Sequence, residues 1–168
     1  MDRALIFETI HGSHLYNLAH SGSDMDTYKV YEGRGLSLRQ SVHAGVDVVR
    51  GDLEAFVRRA QNGSHQSCEA LFSPVKGFAP GMEEKWGPYL EGFRVTGRGV
   101  FEKYERTIKK FCYGDYKRRR HAARLHLSLR GLREEGRFNP RLDEDEVRWC
   151  TLMADAYSGD DLRGVLLG

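Results

Sequence analysis

The chain has 168 residues and a net charge of +2, and its residues are 40% hydrophobic and 30% charged. These values are typical of a globular protein large enough to bury a core. No apolar run approaches the roughly 20 residues of a membrane span, and the start of the chain lacks the apolar segment of a signal peptide. We therefore expect a cytoplasmic protein without a membrane partner.

The cysteines and histidines predict neither a disulfide framework nor a zinc site. Cys68, Cys112 and Cys150 are odd in number and far apart, which is typical of reduced thiols. His11 and His14 are three residues apart, and no further His or Cys completes a tetrahedral set. We expect these histidines to face solvent or lie near a substrate.

The first predicted elements are a strand over 4–10, a turn at 11–13, a short helix over 14–19 and a second strand over 24–31. Gly12 lets backbone N–H groups come close to a ligand, and the helix N-terminus favours anions. Gly12 and Ser13 therefore predict a phosphate cradle. Ser13 could equally cap the helix, and capping is compatible with phosphate binding.

Three acids follow this turn. If Asp24 and Asp26 lie on one strand, both carboxylates point to the same face, about 7 Å apart along the backbone. Asp47 lies in a β-branched run, predicted as a third strand over 42–50, where a buried acid needs a partner. A divalent cation shared by the three acids is one such partner. An ion pair to Arg50 or to another basic residue is a second, and the first two acids could also be a solvated loop-to-strand cap.

Helices dominate the remainder of the predicted chain. A helix with N-cap Asp52 buries Leu53 and Phe56 and ends at Gly63, and a helical turn or two over 66–72 follows. Residues 73–88 are rich in Gly and Pro, so we expect a loop between two subregions there. Further helices are predicted over 99–113, 116–135 and 143–157. The expected division is a core over 1–75 and a helical region over 89–168 that packs on it.

The helix over 116–135 is strongly basic, since residues 116–133 contain seven Lys or Arg and no acid. Lys117, His121 and Arg124 fall at i, i+4 and i+7 on one face. Tyr113 and Tyr116 beside these charges suit a polynucleotide with stacked bases. A solvated helix face is the commoner cause of such a run.

These motifs together resemble the signature of the DNA polymerase beta nucleotidyltransferase superfamily. The residues that carry the resemblance are the Gly-Ser turn at 12–13, Asp-Met-Asp at 24–26 and Val-Asp-Val at 46–48. The surrounding sequence over about 5–136 looks like the predicted nucleotidyltransferases associated with RNA ligases and proposed to act in RNA repair. Its matching stretches are GSHLYNL at 12–18, DLEAF at 52–56 and CEALFSP at 68–74, and Glu69 falls at a family position.

The resemblance implies an α/β or α+β fold, with a small mixed sheet that carries the acids and a C-terminal helical region over the cleft. It implies transfer of a nucleoside monophosphate from an NTP to a hydroxyl acceptor, with RNA as the candidate acceptor. The implied cofactor is a pair of Mg²⁺ ions, or Mn²⁺, held by Asp24, Asp26 and Asp47, with Asp47 as metal ligand or base. The implied nucleotide-binding residues are Gly12, Ser13, Ser23, Lys117, His121 and Arg124.

Two other functions stay open at this level. One is nucleotidyl transfer to a protein or a small molecule, as in antitoxin-type or antibiotic-modifying relatives. The other is a non-catalytic nucleic-acid-binding module with the same fold, although such a module has no need for three carboxylates facing a polyanion. The sequence leaves the NTP base, the oligomeric state and the pathway open.

Overall fold

The computed structural model of the protein describes residues 3–168, apart from the side chain of His43. These residues form two compact units that divide after Phe93. The predicted α+β class with a small mixed sheet is confirmed, because the first unit contains a five-stranded sheet and the second is helical. Among the helices of residues 3–168, none is both long enough and apolar enough to cross a bilayer.

The first unit is built round the sheet. Its elements, in chain order, are β1 (Leu5–His11), α1 (Ser13–Tyr16), β2 (Asp26–Tyr31), β3 (Arg39–His43), β4 (Val46–Asp52), α2 (Leu53–Gln61), α3 (His65–Phe72), β5 (Gly77–Phe78) and α4 (Met82–Gly92). The strand order is β3-β4-β2-β1-β5, in which β2 and β4 are parallel and the other neighbours antiparallel.

Two helices, α2 and α3, cover the face of the sheet that carries Tyr28. Asp52 caps α2 as predicted, since its Oδ1 accepts the Ala55 N–H at 2.8 Å. The rings of Tyr28 and Phe56 meet edge to face at 5.8 Å. The hydroxyls of Thr9 and Ser73 are 2.6 Å apart, so the end of α3 is tied to β1.

The single strand predicted over 42–50 is wrong, because a hairpin turn divides it. Val42 belongs to β3 and pairs with Asp47 of β4. The turn residues Ala44 and Gly45 both have positive φ, +50° and +79°, as a two-residue type I′ turn requires. Alanine seldom adopts this conformation, so the pattern of residues gives little sign of the turn.

The loop predicted over 73–88 is also wrong, because this segment contains β5 and most of α4. Pro88 lies inside α4, where proline normally interrupts a helix. Two features favour the helix: acidic Glu83 and Glu84 in its first turn, and tertiary anchors. The Trp86 indole N–H donates to Glu32 at 2.6 Å, and Leu90 is buried.

The second unit, Arg94–Gly168, consists of α5 (Arg98–Cys112), α6 (Tyr116–Glu135), α7 (Glu144–Ala156) and α8 (Gly159–Leu167). The first three helices confirm the predictions for this region to within about a residue at each end. Gly136 ends α6 in the left-handed conformation, and Asp143 begins α7 with a capping box to Glu146. Helix α8 was not predicted from the sequence.

Candidate active site

The candidate site begins where β1 ends, at Gly12. This residue has φ +70° and ψ −154°, a region of backbone conformation that is essentially restricted to glycine. The helix that follows, α1, is a single turn, shorter than the predicted 14–19, so its dipole is small. Gly12 supplies no side-chain cap, and the first N–H groups of a helix have no intrahelical acceptor. The half-buried Ser13 lies beside these donors.

The carboxylate of Asp26 lies directly against this turn. Asp26 begins β2 and pairs with His11, the residue before Gly12. A Cβ on Gly12 would be only 3.0 Å from Asp26 Oδ2, which is closer than side chains normally approach. The turn and the acid therefore form one local structure, in which the absence of a side chain at Gly12 leaves room for the carboxylate.

Asp47 is the neighbour of Asp26 on the adjacent strand. Thr27 pairs with Val48 in the parallel register of β2 and β4. Asp26 and Asp47 are the residues immediately before these two, so they are also adjacent. Residues at matching positions of neighbouring strands face the same side of a sheet. Arg50 is three residues from Asp47 on β4 and so faces the other side. Within the described residues these two form no ion pair, and that alternative is not supported.

Asp24 takes a different position from the one predicted. Strand β2 begins at Asp26, so Asp24 lies in the preceding segment and is exposed. The argument that strand alternation places the first two acids on one face is therefore wrong. Asp24 is nonetheless close enough to Asp26 for the two charges to interact.

The electrostatics of Asp26 reflect this crowding. Burial raises the pKa of the Asp26 carboxyl most, and the nearby charges of Asp47 and Asp24 raise that pKa further. His11 and His14 act in the opposite direction. The raised pKa means that the fold disfavours the anionic form of Asp26. A bound cation would offset this unfavourable free energy.

The donor set fits Mg²⁺ in its chemistry, because three carboxylates supply the hard oxygen ligands that this ion prefers. Among the described residues, however, no three His, Cys, Asp or Glu side chains are grouped so that they could hold a metal ion as they stand. A metal site formed by Asp24, Asp26 and Asp47 therefore stays a prediction.

A buried polar cluster lies next to the Gly12 turn, and no function was predicted for this cluster from the sequence. Tyr16 donates its hydroxyl hydrogen to Glu69 Oε2, and His11 Nε2 lies 2.7 Å from the same oxygen and 3.0 Å from the tyrosine hydroxyl. Glu69 is 1% exposed and His11 7%. His11 therefore does not face solvent, whereas the expectation that it lies near a substrate stays a prediction. Glu69 falls at a family position, but only the contact between α3 and β1 explains why a glutamate lies there.

Ser23 has its polar groups engaged in local structure. Its Oγ accepts the His20 N–H at 2.9 Å, and its carbonyl accepts a hydrogen bond from His14 Nε2 at 3.1 Å. These bonds fix the segment before Asp24. The structure thus gives Ser23 a role in loop geometry, and its predicted contact with a nucleotide stays a prediction.

The other predicted nucleotide-binding residues belong to the second unit. Lys117, His121 and Arg124 lie on α6, which extends over the predicted range. Lys117 is exposed, whereas Arg124 is 6% exposed and its Nε donates to His121 Nδ1 at 3.4 Å. Arg124 therefore does not belong to a solvated helix face, and its predicted contact with a nucleotide stays a prediction.

Replacing Gly12 by alanine is expected to lower the free energy of unfolding by about 1–3 kcal/mol, because the backbone conformation suits only glycine. The new methyl group would also displace the Asp26 carboxylate. Chemical denaturation measures the stability, and calorimetric NTP titration with Mg²⁺ measures the site. Gly81→Ala is the matched control, since Gly81 has φ +74° but no atom within 4 Å of the added Cβ. Equal effects of both variants on NTP binding would contradict the role of Gly12.

Comparison with known proteins adds no assignment to this geometry. No protein-family model matches the chain, and a search of curated proteins found no similar sequence.

Proposed function

We propose that the protein is a Mg²⁺-dependent nucleotidyltransferase that moves a nucleoside monophosphate from an NTP to a hydroxyl acceptor. The observation that carries the proposal is the contact between the Gly12 turn and the Asp26 carboxylate, with Asp47 beside it. A triphosphate donor needs backbone N–H groups for its phosphates and carboxylates for its metal ions, and this arrangement has both next to each other. The resemblance to polymerase beta-type enzymes adds to the proposal.

In the proposed reaction the acceptor oxygen forms a bond to the α-phosphorus while the bond from that phosphorus to the bridging oxygen breaks. Pyrophosphate leaves, and the hydroxyl proton passes to Asp47 or to water. When bound, the metal ions offset charge on the triphosphate and lower the pKa of the acceptor hydroxyl. Asp24 and Asp26 share the role of ligands with Asp47.

The remaining residues of the proposed site bind the donor. Ser13 and the N–H groups after Gly12 hold the β- and γ-phosphates, and Ser23 keeps the segment before Asp24 in place. The resemblance also assigns Lys117, His121 and Arg124 of α6 to binding of the nucleotide or the acceptor. These assignments rest on the resemblance, and for the second unit on the charge of α6.

An RNA acceptor is supported by the distribution of charge. Residues 94–168 contain 17 Lys and Arg against 12 Asp and Glu, a net charge of +5, whereas residues 1–93 contain 9 against 12, a net charge of −3. Clustered positive charge favours a polyanion. A role in RNA repair and a cytoplasmic location belong to this proposal, and the free, buried Cys68, Cys112 and Cys150 fit a reducing compartment.

The test is incubation with Mg²⁺ and each α-labelled NTP in turn, with RNAs of different ends, other proteins and small hydroxyl compounds as acceptors. We expect label transfer with release of pyrophosphate, and loss of both when Asp24→Asn and Asp26→Asn are combined. Asp145→Asn, an exposed acid on α7, serves as the control and should retain activity. Failure of the wild type to bind any NTP with Mg²⁺ or Mn²⁺ would refute the proposal. RNA binding that survives in the double variant, without turnover, would instead indicate a binding module.

A further inference from the structure

A second feature of the first unit is a small polar pocket on the sheet face that carries the acids. Its volume is about 80 Å³, enough for several water molecules and so for a phosphate group. Tyr28, Val49 and Gln40 line it, and these three residues pair across β2, β4 and β3. They therefore form one row across the sheet.

This row lies next to the row of the acids. Tyr28 is two residues beyond Asp26 on β2, and Val49 is two beyond Asp47 on β4, so all four share one face. The spacing along a strand places the rows about 7 Å apart.

Two guanidinium groups line the same pocket. Arg39 lies at the start of β3 and Arg59 near the end of α2, and both are exposed. Within residues 3–168 as described, neither has an ion-pair partner. Arg58, the neighbour of Arg59, does not line the pocket and pairs with Glu54 at 3.7 Å. The pocket thus has positive charge that the described residues do not neutralise, beside a row of negative charge.

We infer that this pocket is the acceptor subsite and that it binds a phosphate ester of the hydroxyl-bearing substrate. The inference rests on the proposed function, in which Asp47 faces the acceptor hydroxyl. A guanidinium presents a planar fork of donors that matches phosphate oxygens, and two of them hold an ester against the repulsion of the acids. In a nucleotide, one ribose ring separates the 3′-hydroxyl from the phosphate on the 5′ carbon. This distance is of the same order as that between the row of Tyr28 and the row of Asp26.

The uncharged polar groups that line the pocket add to this assignment. Gln40 and Gln66 are exposed amides that line it, and the Ser67 side chain is another polar group in its wall. These groups donate or accept hydrogen bonds without adding charge, so they suit ester oxygens or a ribose. The acceptor class is therefore a phosphorylated hydroxyl compound, either the 3′ end of an RNA or a free nucleotide.

The experiment measures acceptor binding without NTP or metal, so that it does not depend on catalysis. A short RNA with a fluorescent 5′ end and a free 3′-hydroxyl is titrated with protein and followed by anisotropy. We expect combined Arg39→Ala and Arg59→Ala to weaken RNA binding about a hundredfold, because the charge-assisted hydrogen bonds of each guanidinium contribute about a factor of ten. Arg58→Ala should change the affinity for RNA less than about twofold, because Arg58 does not line the pocket and its exposed ion pair with Glu54 contributes little.

Competition distinguishes the sources of the phosphate. Adenosine, which lacks the phosphate, should not displace the RNA from the wild type, whereas AMP displaces it if the pocket accepts a single nucleotide. Displacement by AMP points to a nucleotide-sized acceptor, and RNA binding that depends on Arg39 and Arg59 but resists AMP points to a polynucleotide. Both results support the subsite. Equal losses with Arg58→Ala, or unchanged RNA binding in the double variant, would overturn it.

The outcomes also separate this inference from the proposed function. Calorimetric titration of NTP with Mg²⁺ should be unaffected by Arg39→Ala and Arg59→Ala. If NTP binding and transfer require the acids while the arginine variants bind RNA normally, the subsite is wrong and the transferase stands. If the wild type binds no NTP but its RNA binding requires both arginines, the pocket stands as a phosphate site and the transferase fails.

Discussion

Asp26→Asn is expected to reduce nucleotidyl transfer about a thousandfold while making the metal-free protein more stable. The loss follows if Asp26 is a metal ligand, because metal-ion catalysis contributes several kcal/mol and about 1.4 kcal/mol corresponds to a factor of ten. The gain in stability follows from the neighbours of Asp26. Its carboxylate is partly buried, close to Asp47 and Asp24, and an amide of the same shape removes the repulsion without creating a cavity.

The direction of the pH dependence follows from the raised pKa of Asp26. A group whose folded pKa is raised contributes stability that is fully present below its unfolded pKa and is lost as the pH rises through the folded pKa. The advantage of Asp26→Asn over the wild type should therefore be largest at neutral pH and disappear towards pH 3.8, the usual value for this carboxyl. Urea denaturation in EDTA, from neutral pH down to this value, measures the difference in the free energy of unfolding between the variant and the wild type.

Adding Mg²⁺ provides the second arm of this test. A cation that binds the folded wild type raises its melting temperature by mass action, and Asp26→Asn should lose most of that rise. Asp145→Asn, on the exposed surface of α7, should respond like the wild type. A variant that loses activity but is less stable in EDTA at neutral pH would contradict this view of the acid cluster.

Glu69→Ala is expected to lower the free energy of unfolding by about 2–6 kcal/mol, because it leaves two buried polar groups without their partner and each such group costs about 1–3 kcal/mol. The substitution removes the acceptor for the Tyr16 hydroxyl and for His11 Nε2, and the site is too enclosed for water to replace it easily. It also removes one of the contacts between α3 and the end of β1, next to Gly12. Donor binding should therefore weaken along with stability.

Chemical denaturation of Glu69→Ala, Glu69→Gln and Glu134→Ala measures this effect. The glutamine keeps an acceptor oxygen and fills the same volume, so it should cost less than the alanine. Glu134 is exposed on α6, and its removal should change stability by less than about 0.5 kcal/mol. If Glu69→Ala behaves like Glu134→Ala, the buried cluster is not an important support of the fold.

Sequence alone predicted the features that depend on neighbouring residues. Asp52 caps α2 because its carboxylate reaches an N–H three residues away, and such a contact follows from local spacing. The helix over 116–135 matches α6, where apolar periodicity and the following Gly136 act within one segment. The adjacency of Gly12, Asp26 and Asp47 was also foreseen, from the need of a buried acid for a partner and from the resemblance.

Only the tertiary structure decided the features that join distant residues. Glu69 and His11 are 58 positions apart, and nothing in the spacing of either predicts their hydrogen bond, which forms because α3 packs on β1. Helix α4 forms despite Pro88 because Trp86 and Leu90 gain partners elsewhere in the first unit. The pocket between Arg39 and Arg59 exists only when β3 pairs with β4 beneath α2. Local propensity determines helices and caps, whereas the register of the sheet determines which side chains meet.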